Sequence, residues 1–457
     1  MKRIQLHTEG QGKRILFIFA SILLAVLFLA AGFGSCKDKK DNDLPIIVIT
    51  GADTKGCMNC HSETTTIGQS VRWAQAGWEQ SVHKNGLLVP IIDNDGLAIL
   101  GWEWEGSDAF YSNGGGCQVC HTHEGFRKKI SGQYADVTAE NADVITQPSP
   151  IGCFTCHSPH EKGDFMLTIP ATQTVTLQSG ATYDKSAGSL CAQCHQARLS
   201  GEANARERAI NAAVAGYSRF GLPHFGPHHG PQSDMLMGAG GAEYTLGGQT
   251  YASSYHSTPN GPNCLNCHMT APTSRASLSP QVSGHAFEVV GIVHGAEKGN
   301  TAGCNASGCH TSAETGTSAT AAGFFHLGDV YLKKDAADTT AAQISAAMSL
   351  LANPDAACAG LLATAYTQIT GGTITWTNNI YARCGTSGYS VNLPAVAGAT
   401  EGTNTARFLM ALWNFKFVWE DKSFGIHNKR YALQLLYDSC VDLNALTGSA
   451  VACGTRP

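Results

Sequence analysis

The sequence predicts a mainly α-helical chain with extensive irregular loops and little β structure, and three observations predict it. Glycine supplies 51 of 457 residues while only 14% of the chain is charged, against roughly 7% glycine and about 25% charge in ordinary domains. A short string of two cysteines followed by histidine recurs through the first two-thirds of the chain. In the last quarter, apolar residues fall at helical spacings, Leu409, Leu412 and Trp413 in one segment and Leu433 and Leu436 in the next.

Residues 1–36 read as an export signal. Lys2, Arg3, Lys13 and Arg14 precede the apolar run ILFIFASILLAVLFLAAGF, which ends in small residues and Cys36. FGSC resembles a bacterial lipobox, whose cysteine carries lipid after cleavage, although Phe33 stands where an aliphatic residue is usual; Cys36 is the expected lipidation site. The run is also long enough for an uncleaved membrane anchor, and ordinary cleavage is the third alternative. In each case the rest of the chain leaves the cytoplasm. Residues 37–55, opening KDKKDND, read as a solvated tether. The formal charge is −5, and losing the four cations and Glu9 of the signal makes the remainder more acidic. With no basic stripe to bind phosphates, nucleic acid is excluded as a partner.

Seventeen cysteines are too many for an exported chain to leave as free thiols. Ten belong to five strings: CMNCH from Cys57, CQVCH from Cys117, CFTCH from Cys153, CAQCH from Cys191 and CLNCH from Cys264. Two thiolates three positions apart can each add to a haem vinyl group, and the adjacent histidine is then held beneath the iron. A zinc site would need paired knuckles without a histidine fixed after each second cysteine, and a thioredoxin-like motif would occur once within a βαβ unit. A sixth string, CNASGCH from Cys304 to His310, has a longer loop but the same terminal Cys-His pair; a disulfide-bonded loop with an incidental histidine is its bland alternative. Six covalently bound haem c groups are expected. Their thioether cysteines are Cys57, Cys60, Cys117, Cys120, Cys153, Cys156, Cys191, Cys194, Cys264, Cys267, Cys304 and Cys309, and their proximal ligands His61, His121, His157, His195, His268 and His310.

Each attached haem offers a second axial position. Of 18 histidines, six are proximal and His7 lies in the signal; those left exceed what solvation of so short a region requires. His160, three positions beyond His157, stays on that histidine's side of the porphyrin and is expected to ligate a neighbouring iron, with a solvent-facing or propionate-bonded role as the alternative. His123, in CHTH, invites the same argument. Further candidates are His83 in WEQSVHKNG, His256 in YASSYHS, His285 in SGHAFEVV, His427 in KSFGIHNKR, and His228 or His229 in FGPHHGPQ, of which His228 is preferred.

At this point the chain resembles the multihaem cytochrome c superfamily that includes pentahaem ammonia-forming nitrite reductases and hydroxylamine oxidoreductase-like proteins. The resemblance covers about residues 57–310 and 404–440. In that family Ser-x-His, Gly-His-x-Phe and Gly-x-His-Asn contexts commonly supply distal ligands, which implies those roles for His83, His256, His285 and His427. One departure matters: the nitrite reductases attach their catalytic haem through a motif ending in lysine, whereas every string here ends in histidine. No catalytic residue is therefore expected.

The span from Cys57 to His310 is too short to bury each haem in a globin-like pocket. The haems are expected to pack on one another, replacing much of the apolar core, with short helices carrying the attachment strings in a hexahaem domain over 56–334. Residues 335–457 read as a C-terminal helical region packing on it. TTAAQISAAMSLLA reads as a helix ending before Asn353 and Pro354, GGTITWTNNIYARC as a small hairpin turning at Asn378 and Asn379, and NTARFLMALWNFKFVWEDKSF and KRYALQLLYDSCVDL as two helices whose aromatics belong to a core. Cys358, Cys384, Cys440 and Cys453 suggest two disulfides in any of three pairings.

Close-packed haems with both axial positions filled pass electrons rather than bind substrate at iron. The leading expectation is an exported electron carrier tethered to the membrane by lipid, an outer-membrane lipoprotein facing the periplasm or the cell surface. It would serve respiration or extracellular electron transfer, with other cytochromes or extracellular acceptors as partners. Two other classes are compatible with the sequence: a multihaem reductase of nitrite, hydroxylamine or a sulfur oxyanion with one open haem, and a homo-oligomeric filament in which a ligand such as His83 or His427 comes from the next protomer.

Overall fold

The structure, a computed structural model, describes residues 66–85, 90–92, 98–100, 118–133, 149–158, 166–199, 204–219, 225–227, 230–271, 282–293, 296–300, 302–304, 340–353, 358–376 and 389–457. It is mainly α with irregular loops and little β. In chain order the helices are α1 (Thr66–Gln80), α2 (Val82–Asn85), α3 (Gln118–His121), α4 (His123–Ile130), α5 (Cys153–Cys156), α6 (Ser189–Ala192), α7 (Ala205–Ala215), α8 (Gln232–Met237), α9 (Cys264–His268), α10 (Thr340–Leu351), α11 (Leu361–Thr370), α12 (Asn404–Asp421) and α13 (Lys429–Thr447). The chain divides into two compact units, Met1–Trp73 with His160–Asp164, and Ala74–Pro159 with Phe165–Pro457. Of the first, the described part is the start of α1.

Helix α12 is buried on nearly every face from Thr405 to Asp421, with Arg407 the exception, and its interior-facing residues are mostly apolar. Phe408, Leu409, Leu412, Trp413 and Phe417 are fully buried. The helix packs against α7, α11 and α13, and α13 packs in turn against α10 and α11. Ala205, Ala209 and Ala213 of α7, one helical turn apart and fully buried, present a face of methyl groups that lets α12 approach closely. Two polar side chains of α12 are paired inside this core. Asn414 accepts the Ala242 N–H at 2.7 Å and donates to the Ala242 carbonyl at 3.0 Å, and the Trp413 indole donates to the Gly240 carbonyl at 2.9 Å. Between them Gly241 lies so near α13 that a Cβ would sit 2.4 Å from a Leu435 methyl, so a larger residue there would have to displace the buried Leu435 side chain.

Two details differ from the expectation or sharpen it. The strand Thr375–Trp376 pairs antiparallel with Tyr389–Leu393, Trp376 opposite Tyr389, and Tyr217–Arg219 covers the other edge. The turn expected at Asn378 and Asn379 lies outside the described residues; in the strand that Thr375–Trp376 meets, Val391 and Leu393 are buried, and that apolar alternation fixes which face is turned inward. Cys440 is bonded to Cys453. Cys358 is also disulfide-bonded, its partner lying outside the described residues, and Cys384 is the remaining candidate.

Candidate functional site

Among the described residues the strings at 153 and 264 fold as single helical turns, and those at 117 and 191 lie partly on one. In α9, Asn263 caps the turn, accepting the Leu265 N–H at 3.0 Å while Asn266 accepts the Asn263 N–H at 2.8 Å. In α5 the cap is supplied from inside: the Thr155 hydroxyl accepts the Gly152 N–H at 2.9 Å. Helical winding sets residues i and i+3 on one face, so Cys264 and Cys267 lie side by side with His268 directly after them. The strings also adjoin one another. The Cys120 thiol lies beside that of Cys194, and Cys191 beside Cys264, so the strings at 117, 191 and 264 are neighbours.

Histidines distant in sequence meet in pairs. The ring centroids of His83 and His195 are 6.0 Å apart, those of His157 and His285 6.2 Å, and those of His268 and His427 6.3 Å. Two imidazoles bound to one metal by nitrogens at about 2.0 Å would have centroids about 6.2 Å apart. Each pair thus matches the spacing of two axial ligands on one iron, and each joins a string histidine to one of the distal candidates. The residues fit a haem iron on this ground. Among the described residues no group of three or more His, Cys, Asp or Glu converges as a metal site.

A second set of contacts orients the rings. Nδ1 of His195 meets the Gln232 side-chain oxygen at 3.1 Å, that of His268 the Phe287 carbonyl at 2.7 Å, that of His256 the Ile426 carbonyl at 2.8 Å, and that of His427 an Asp421 carboxylate oxygen at 2.6 Å. The Gln232 amide is oriented by its own NH2, which donates to the Glu420 and Asp421 carbonyls, both at 3.3 Å. A carbonyl or carboxylate at Nδ1 holds the proton there, leaving Nε2 with the lone pair that a metal takes. Burial also keeps the rings neutral. It lowers His83 to about 4, with His195 adding to the effect, and lowers His268 and His285. The surrounding protein lowers His195 too, although its ring retains exposed surface. His427 is the exception: burial alone would lower it, but the Asp421 carboxylate outweighs that and the result is upward.

Phe287 touches three of these histidines. Besides accepting from His268, it places its ring 4.6 Å from that of His83 and 5.9 Å from that of His285. Its backbone is left-handed, φ 62°, which turns carbonyl and ring toward different histidines. Gln232, Phe287, Ile426 and Asp421 were not legible as site residues: no spacing marks a group that acts through its neighbour's ring. For Asp421 the clue was its place six positions before His427.

His121 and His123 are described as well, with His123 Nδ1 at 2.9 Å from the Thr155 hydroxyl. Cys36, Cys57, Cys60, His61, Cys117, His160, His228, His229, Cys309 and His310 lie outside the described residues, as does the apolar N-terminal run. Among the described residues no helix is long and apolar enough to cross a membrane.

Residues 35–206 match the family model described as outer membrane cytochrome MtrC/MtrF-like, domains II/IV. The matched stretch contains the strings at Cys57, Cys117, Cys153 and Cys191, and the match supports a multihaem outer-membrane cytochrome. Neither the curated proteins nor the solved structures yield a match.

Proposed function

We propose that this protein is an exported multihaem c-type cytochrome that passes electrons along a chain of six haems to or from extracellular acceptors. The observation that carries the reading is the trio of histidine pairs at 6.0, 6.2 and 6.3 Å. Haem c, when bound, supplies a one-electron iron couple. The cysteines of the six strings would anchor it, and the pairs His195 with His83, His157 with His285 and His268 with His427 would hold both axial positions. Filling both positions denies iron to a substrate and favours electron transfer over reduction chemistry. His285 opposite His157 also leaves His160 for another iron, in keeping with its three-residue leash. The family match supports outer-membrane placement and partners that are other cytochromes or extracellular acceptors; Cys36 is the residue that would carry the lipid.

The test is the intact mass of the purified holoprotein together with its low-temperature EPR spectrum. The expected result is six haems, a diacylglyceryl group on Cys36 and low-spin iron throughout. A holoprotein whose iron takes up cyanide or nitrite rapidly overturns the carrier reading, and a mass of five haems removes CNASGCH from the set.

A further inference from the structure

The groups that back the paired histidines differ in charge. His195 is backed by a neutral amide and His268 by a neutral carbonyl, whereas His427 is backed by the Asp421 carboxylate at 2.6 Å. Asp421 ends α12 and is 1% exposed. That is an unfavourable place for an anion, because the C-terminal end of a helix carries partial negative charge and burial withholds water. Helix stability therefore does not account for it. The carboxylate is instead built into a closed hydrogen-bonded turn. Ser423 donates from its hydroxyl and, at 3.3 Å, from its backbone N–H to the second carboxylate oxygen, and the same hydroxyl accepts the His427 N–H at 3.1 Å. Left-handed backbone at Lys422, Phe424 and Gly425, with φ 60°, 47° and 89°, folds the chain back so that His427 reaches Asp421.

A charged acceptor draws the Nδ1 proton more strongly than a neutral one. The opposite nitrogen becomes a stronger donor, and a stronger donor stabilises the ferric over the ferrous state. We propose that Asp421 is a positioning residue that lowers the potential of the iron held between His268 and His427. The inference rests on the proposed function and deepens it. The exchange it governs is a single electron received from one neighbouring haem and passed to another, with no bond made or broken and no proton moved.

The experiment is a spectroelectrochemical titration of the full-length holoprotein, followed optically and by EPR, for the wild type, Asp421→Asn and Ser423→Ala. Asparagine keeps an oxygen for Nδ1 and removes only the charge. One component should become about tenfold easier to reduce, about 59 mV for one electron, with the others unmoved and haem mass unchanged. Ser423→Ala removes the hydroxyl that shares the carboxylate's charge, so the same component should move the other way. Unmoved curves in Asp421→Asn, or a uniform shift of all components, overturn the assignment; should that variant not fold, an unmoved Ser423→Ala curve does so. Wild-type irons that are not bis-histidine low-spin end the proposed function itself, a result distinguishable from the failure of Asp421 alone.

Discussion

Alanine in place of His83 removes one imidazole and leaves the ring it faces, 6.0 Å away on His195, without an opposite number. In the holoprotein His83→Ala should convert one iron from low to high spin, read as a new signal near g 6 by EPR, and leave the other irons unchanged. The same scale holds a pH effect beside the string at 191. Asp234, fully buried on α8, accepts the Ala197 N–H at 2.6 Å, and burial pushes its carboxyl up to about 6 from 3.8. The folded state therefore binds the proton more tightly than the unfolded one. The stability this confers is complete below the unfolded value near 4 and is lost as pH rises through about 6. Asp234→Asn keeps the oxygen that Ala197 needs and cannot ionise. It should flatten the melting-temperature profile between pH 4 and 7 and gain on the order of 3 kcal/mol at neutral pH. Of these residues only the histidines were legible in advance, because a ligand carries a spacing or a neighbour with it. Asp421, Gln232 and Phe287 act through another residue's ring, and an acid, an amide and a backbone carbonyl carry no such signature.

Among elements, those whose apolar residues repeat at helical spacing were legible and those that pack with small side chains were not. The sequence patterns behind α10, α12 and α13 are carried by Leu, Met, Phe and Trp. In α7 the buried face is Ala205, Ala209 and Ala213, too small to stand out from Ile210, Ala212 and Val214 beside them. The tightness of that face is testable. Ala209→Leu should force α7 off α12 and lower stability by about 1–3 kcal/mol, measured as a fall in melting temperature with the haem spectrum unchanged. The end of the chain is held by covalent and ionic means together. Cys440 on α13 is bonded to Cys453 across 13 residues, and Arg456 forks onto Asp438 at 2.8 and 2.9 Å. Replacing both cysteines by serine frees a short loop in the unfolded chain and should cost about 3 kcal/mol, read from denaturation under non-reducing conditions.

At the scale of the whole molecule, apolar burial and attachment strings occupy different stretches. The main core draws on residues 199–244 and 344–446, whereas the segment leading into the string at 191 shares a small cluster of Val175, Leu177, Tyr183, Ala192 and Leu236, with Cys264 packed against it. Apolar side chains alone cannot then stabilise both stretches equally, since burial scales with the apolar area removed from water. The string-bearing segments must draw on their thioether links and axial ligands, as small domains draw on disulfides or metals. The two stretches should therefore respond differently to loss of haem. Limited proteolysis of chain exported from a host lacking the haem attachment machinery should cut first within 118–158, 166–199 and 256–304. The helices α7, α12 and α13 should persist in resistant fragments, with the loop closed by Cys440 and Cys453 intact. In the holoprotein the same segments should resist. Equal cleavage of the helical core and the string segments in the haem-free chain would mean that α12 and its neighbours also depend on the cofactors, and that the core is not an independent scaffold against which the histidine pairs are set.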